Sequence, residues 1–327
     1  MSKVIGIDIS KQTFDVSFFN KKQKWQFEKF SNDKKGFKKL EKLLDKDSIV
    51  VMEASGPYYL SLAGYLHKKS YKVSVVNPLI IKRFSQMRMN RAKTDKKDAQ
   101  TIAQYGNQMN MQEELHLWEP QSDAIYQMHQ MQTLVDGYTK QLTMLKNQLG
   151  AFKSSGILDP VVKASIEQTI HKLNKEVKKL NQNMKELADE NYKQTMELLQ
   201  SIPGIGHKTA IALIVLTNNF EHFESYKQLI AYVGLSPRIY QSGTSVKGKG
   251  HIAKMGNGKV RKLLYMCSWS AKRYNKPIVA MYERLNKKGK TERVIKVALA
   301  NKLIKQAFAI VKSGRAFEQD YVSSRVS

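Results

Sequence analysis

Only one cysteine, Cys267, occurs in 327 residues, so an internal disulfide framework and any zinc site built on cysteine are excluded. The seven histidines are scattered along the chain, which disfavours a zinc hydrolase. No apolar run reaches the ~18 residues that a membrane-spanning helix needs. The first residues, Met1 to Asp8, run straight into a strand-like pattern rather than the apolar segment of a signal peptide. The expectation from these absences is a soluble cytoplasmic protein free of membrane. Acidic residues are the most telling shortage: 28 Asp and Glu stand against 55 Lys and Arg, a net charge of +27. Such an excess points to a polyanionic partner, DNA or RNA before a membrane surface. Hydrophobic content of 42% and charged content of 25% are ordinary for globular chains, so a sizeable core can form. At roughly 100–200 residues per domain, the length suggests two domains or a domain with an extension.

Three regions differ in texture. Residues 1–120 alternate strand and helix signals. Strands are expected at Val4 to Ile9, Phe14 to Phe19, Lys24 to Phe30, Ser48 to Met52 and Val73 to Val76. Helices are expected after the Ser31-Asn32-Asp33 cap through about Leu44, from Pro57 and from Pro78. Three early strands followed by alternating helices and strands describe a mixed sheet covered by helices, an α/β domain. Residues 121–200 carry two heptad seams. One comprises Met128, Met131, Val135, Tyr138, Leu142, Leu145 and Leu149; the other comprises Ile166, Ile170, Leu173, Val177, Leu180, Met184 and Leu187. The break between them, Gly150 to Pro160, makes an antiparallel coiled-coil arm. That arm either spaces the flanking domains or pairs with another subunit. Residues 201–327 read as a basic, mainly α-helical domain with glycine-rich breaks. From Arg238 to Lys312 there are 19 Lys and Arg against Glu283 and Glu292, so this segment alone carries +17.

Four acids stand out. Asp8 interrupts an apolar strand, where a carboxylate is costly unless paired or bound to a cation; alternation turns it away from Ile7 and Ile9. Glu53 follows the apolar strand Ile49 to Met52, at the strand end where α/β sheets place functional groups. Asp95 and Asp98 are spaced to share one helix face. Each has an ordinary alternative: a solvent-facing strand acid, a loop acid, or first-turn acids that cap a helix and favour its dipole. Together, in a chain bound to polyanions, four oxygen donors suit Mg²⁺. Two such ions about 3.5–4 Å apart stabilise the attacking and leaving oxygens of phosphodiester displacement.

The basic region offers phosphate contacts. Gly243, Gly248, Gly250, Gly256 and Gly258 are interleaved with Lys247, Lys249, Lys254 and Lys259, followed by Arg261 and Lys262. Glycines let the backbone approach phosphates and lysines neutralise them. Ser242, at the entrance to this loop, reads on its own as a turn residue. Ser201 to Ala210, with Gly204, Gly206 and Lys208, is similar to the hairpin of helix-hairpin-helix modules, whose backbone amides hold a phosphate without reading sequence; a plain helix–helix turn is the alternative. Tyr265, Trp269 and Tyr274 could stack on bases, but their spacing favours a helix core face.

The segments GIDISKQTFDVSF, VVMEASGPYYLSLAGYL and NRAKTDKKDAQTIAQYG resemble the N-terminal DEDD domain of insertion-sequence 110 family transposases. That domain is similar to the Holliday-junction resolvases of the ribonuclease H fold (RuvC-like). SIPGIGHKTA, YVGLSPRIYQSGTS and HIAKMGNGKVRKLLY resemble the same family's C-terminal region. The resemblance implies that Asp8, Glu53, Asp95 and Asp98 form a Mg²⁺ site. It makes Ser242 the nucleophile that becomes a phosphoserine, with Ser245 the fallback. It also implies a noncoding bridge RNA that pairs with donor and target DNA, and a homo-oligomer, dimer or tetramer. Acids from one subunit would then meet Ser242 of another. Two other classes stay open on the residues: a metal-dependent junction nuclease that activates water and does not need Ser242, and a nucleic-acid scaffold that needs neither set.

Overall fold

In the N-terminal unit (residues 1–120), apolar residues alternate along strands until Asn, Asp and Pro interrupt them. A computed structural model of the chain describes residues 3–20, 22, 24–89, 94–238, 251–253 and 255–320, and the backbone alone at 241–242 and 246–247. Strands β1 (Val4–Ile9), β2 (Thr13–Phe19), β3 (Trp25–Ser31), β4 (Ile49–Glu53) and β5 (Lys72–Val76) form one sheet in the order β3-β2-β1-β4-β5. β1, β4 and β5 are parallel, while β2 runs antiparallel to both its neighbours. This is the mixed α/β architecture expected from the sequence.

Each face of the sheet has its own apolar layer. Ile5, Ile7 and Ile9 of β1, with Phe14, Val16 and Phe18 of β2, pack with helices α1 (Lys34–Glu41) and α2 (Tyr59–Lys68). Val4, Ile49 and Val51 lie on the other face, with α3 (Pro78–Met87) and α4 (Asp95–Met111). The period-2 pleat therefore puts Gly6 and Asp8 on the α4 face. Gly6 is required there: a Cβ would stand 2.2 Å from the Ala103 nitrogen and 2.3 Å from the Ala99 carbonyl oxygen. Without that side chain, α4 seats directly on β1.

Local signals set most boundaries. Asp33 caps α1 by accepting from the Lys35 and Gly36 amides, Asn77 caps α3 with Pro78 in its first turn, and Thr94 caps α4. Two expectations change. Pro57 does not open α2, which begins at Tyr59 after a turn over residues 56–58, and α1 ends at Glu41 rather than Leu44.

The second unit, residues 121–327, is mostly helical. Helices α5 (Asp123–Ser154) and α6 (Pro160–Gln200) pack on each other across a five-residue connection at 155–159. Gly150 does not end α5; it lies within the helix with open space at its Cβ position. Every residue of both seams is buried or half-buried, Leu142 at 8% exposure among them. The remaining helices are α7 (His207–Thr217), α8 (Tyr226–Val233), α9 (Gly258–Tyr274), α10 (Lys276–Lys287) and α11 (Glu292–Ser313). α7 and α11 are apolar around much of their circumference and supply much of this core, from Ala210 to Val215 and from Ile295 to Ile310. Short strand pairs join β6 (Pro237–Arg238) to β9 (His251–Ile252), and β7 (Gln241–Ser242) to β8 (Val246–Lys247). Among the described residues, no helix is long and apolar enough to cross a membrane.

Candidate carboxylate site and nucleic-acid surface

Asp8 lies near the end of β1, half-buried, facing α4. Glu53 is the last residue of β4, on the same face as Ile49 and Val51, and its Oε1 accepts from the Ser55 hydroxyl at 2.9 Å. Asp95 and Asp98 occupy the first turn of α4, the helix that Gly6 admits against β1. The other three acids act electrically on Asp8. Burial first, then the charges of Asp98, Glu53, Asp95 and Asp15, push the Asp8 carboxyl up from 3.8 to about 6. A carboxylate raised by burial and by like charges is a group that a cation would relieve.

A fifth acid belongs to this neighbourhood and was not singled out in the sequence. The hairpin closing over residues 10–12 sets Asp8 directly opposite Asp15, and β3 sets Lys29 opposite Asp15. Asp15 is 5% exposed. Its Oδ2 meets the Lys29 ammonium at 3.4 Å, while its Oδ1 is buried without a hydrogen-bond partner. Lys29 also reaches Oδ2 of Asp95 at 3.7 Å. Burial raises the Asp15 carboxyl, Lys29 opposes that rise, and Asp95 adds to it. The signal was readable in principle. Phe14, Val16 and Phe18 share one face, so Asp15 must share the other with Asp8.

Among the described residues, no three of these side chains close tightly enough to hold an ion by themselves. The donor set nevertheless fits a hard divalent cation. All the donors are carboxylate oxygens, the neighbouring Asp15 has one buried oxygen orphaned, and burial and like charges make Asp8 less favourable as an anion. Mg²⁺ in particular is commonly held by one or two carboxylates, with waters and substrate phosphates completing its octahedron. An open cluster suits that mode better than a closed cage.

In the second unit, residues 201–206 turn the chain from α6 into α7. Gly204 has φ +108°, and a Cβ there would lie 2.7 Å from that of Ala271 on α9. Gly206 starts α7 with no side-chain cap, a helix start of the kind at which backbone amides can meet an anion. Beside them, Lys178 and Lys185 of α6 join His207 and Lys208 around a cavity of about 330 Å³. Lys262 is exposed on α9. Lys259 pairs with Asp136 of α5, and the Arg261 guanidinium donates to the Val233 carbonyl at 2.7 Å. Trp269 and Tyr274 are 49% and 65% exposed, so the core-face expectation for them is corrected: the apolar side of α9 runs instead through Val260, Leu264 and Ala271. The Lys296 ammonium sits 2.9 Å from the centre of the Trp269 ring. Ser242 lies in β7, its backbone opposite Val246. Ser245, Lys249 and Lys254 lie outside the described residues, and Lys247 is placed by its backbone in β8.

Comparison with known proteins covers both units. A family model for DEDD transposases matches residues 5–152, including all four acids first singled out. A second, described as transposase IS116/IS110/IS902 family, matches residues 196–283, from the α6–α7 turn through Ser242 and α9. The chain is 31% identical to a pilin gene-inverting protein of Moraxella lacunata over 98% of its own length and 99% of that protein. It is 25% identical to the transposase for insertion sequence element IS1328 of Yersinia enterocolitica, over 83% of this chain and 86% of that one. With full-length similarity, both family models and an acid-bearing mixed sheet in agreement, the chain belongs to the IS116/IS110/IS902 family of transposases and is a DNA transposase with an N-terminal DEDD domain.

Proposed function

We propose that this transposase cuts and rejoins DNA through a phosphoserine on Ser242, with Mg²⁺ held by Asp8, Glu53, Asp95 and Asp98. The observation that carries the metal half is the placing of these acids around a half-buried Asp8, whose carboxyl is lifted to about 6 by its burial first and by their charges second. Strand order β3-β2-β1-β4-β5, with β2 antiparallel, supports reading residues 1–120 as a ribonuclease H-like domain. Residues 121–200 are then the coiled-coil arm, and residues 201–327 the basic domain that carries the nucleophile.

The chemistry divides among the chain's own groups. Asp8 and Glu53 sit on rigid strands, and Asp95 and Asp98 on a helix seated by Gly6, so the donors are held on ordered elements. Bound Mg²⁺ supplies charge neutralisation at the attacking and leaving oxygens of a phosphodiester. The Ser242 hydroxyl attacks phosphorus, a bond to phosphorus forms, and a sugar oxygen leaves as a hydroxyl. A second strand's hydroxyl then attacks the phosphoserine and releases Ser242. This conserves phosphodiester energy, which water as nucleophile would discard. The amides of α7, Gly204, Gly206 and Lys208, with Lys247, Lys249, Lys254, Lys259, Arg261 and Lys262, hold phosphates without reading sequence.

Sequence choice falls to a structured noncoding bridge RNA from the mobile element, paired with donor and target DNA, as in other RNA-guided systems. A homo-oligomer, dimer or tetramer, brings the acids of one subunit to Ser242 of another, in the cytoplasm at the nucleoid. The test is reconstitution of strand exchange from purified protein, the element's RNA, donor and target. Recombinant junctions should require the RNA and Mg²⁺, and changing the RNA's pairing segment should redirect the target. Junctions formed equally well without RNA would contradict the guide. Cleavage without joining would favour a water-using junction nuclease, the reading kept second because the acids alone suffice for it.

A further inference from the structure

β3 places a cation on the carboxylate face. Lys29 lies opposite Asp15 in the sheet, and Asp15 lies opposite Asp8, so the three residues form a row across β3, β2 and β1 on the side covered by α4. Asp15 is buried and uses one oxygen on Lys29, leaving the other unpartnered. Such a carboxylate is costly in a strand interior unless a neighbouring cation offsets it. The same ammonium stands 3.7 Å from Asp95 at the start of α4, so it spans from the sheet to the helix that carries two of the site's acids. Half the Lys29 side chain is exposed, and lysine is a flexible point charge rather than a fixed fork. It can therefore leave Asp95 while its stem stays on the strand.

We propose that the Asp15–Lys29 pair is the resident counter-charge of the carboxylate site: Lys29, anchored on buried Asp15, bridges to Asp95 in the ion-free protein, and an incoming divalent ion displaces that bridge. The pair thus stabilises a cluster of like charges before metal arrives and competes with metal when it does. This rests on the metal-site reading of Asp8, Glu53, Asp95 and Asp98, and adds to it a pair of residues outside that set.

The two roles have opposite signs in one variant. Lys29→Gln removes the cation and leaves the cluster more negative. In ion-free buffer the full-length variant should melt several degrees below wild type, because Asp15 loses its partner. By calorimetric titration it should nevertheless bind Mn²⁺ more tightly, about three- to tenfold, as removal of one nearby unit charge at near-aqueous dielectric implies. Lys29→Arg keeps the charge and should restore both values. Circular dichroism verifies that each variant is folded, which a half-exposed position favours. Unchanged or weaker Mn²⁺ affinity in Lys29→Gln, beside a wild type that binds Mn²⁺ and an Asp8→Asn variant that does not, overturns the counter-charge alone. A wild type that takes up no Mn²⁺, or an Asp8→Asn variant that takes it up as wild type does, overturns the carboxylate site and the counter-charge together.

Discussion

Asp8 shows how a single residue can oppose the fold it serves. Its carboxyl is raised from 3.8 to about 6 by burial and by the surrounding acids, so the folded state disfavours its charge more than the unfolded chain does. That penalty is fully present above about pH 6, shrinks as the pH falls, and is gone below the unfolded value near 3.8. Asp8→Asn is therefore expected to raise the melting temperature in ion-free buffer at pH 8 by several degrees. The gain should vanish towards pH 4, and strand exchange should be lost throughout. Thermal unfolding at both pH values measures this; an Asp8→Asn protein less stable than wild type at pH 8 would contradict it. The four acids first noted were legible because each interrupts a pattern, a strand or a helix start. Asp15 was passed over because an acid in a half-polar strand looks ordinary until the hairpin register sets it across from Asp8.

At the scale of elements, alternation and caps carried most of the reading. Ile5, Ile7 and Ile9 against Gly6 and Asp8 already separate the two faces of β1, and the Asp33, Asn77 and Thr94 caps act where side-chain chemistry suggests. The misreadings have physical causes. Pro57 fits a first helical turn, but a turn over residues 56–58 comes before the helix. Gly150 weakens a helix without ending one when long packed neighbours continue on both sides. Trp269 and Tyr274 share α9 with Leu264 and Ala271, yet stay exposed on it, because aromatic spacing alone does not say which stripe of a helix is buried. The contact of α4 with β1 yields a sharper expectation. Gly6→Ala places a methyl 2.2 Å from the Ala103 nitrogen, so α4 must shift. The cost should be about 1–3 kcal/mol, read as a lower urea midpoint, with strand exchange falling as Asp95 and Asp98 move off Asp8. An unchanged midpoint and full activity would show that α4 need not sit so close.

For the whole molecule, charge is unevenly spread: Arg238 to Lys312 holds +17 of the total +27. Affinity for nucleic acid should accordingly fall steeply with salt, and replacing exposed Lys262 by Gln should lessen the slope of log K against log salt by about 1. A slope unchanged in that variant would remove Lys262 from the phosphate contacts. Charge explains binding but not chemistry, and the proposed chemistry turns on Ser242. The most direct measurement is capture of a covalent protein–DNA adduct that survives denaturation, with mass spectrometry of its peptide, in wild type, Ser242→Ala and Asp8→Asn. An adduct on Ser242 is expected in wild type with Mg²⁺, and none in either variant or in EDTA, while all three proteins still bind DNA. An adduct that persists in Ser242→Ala, or normal cleavage by that variant without any adduct, would contradict it.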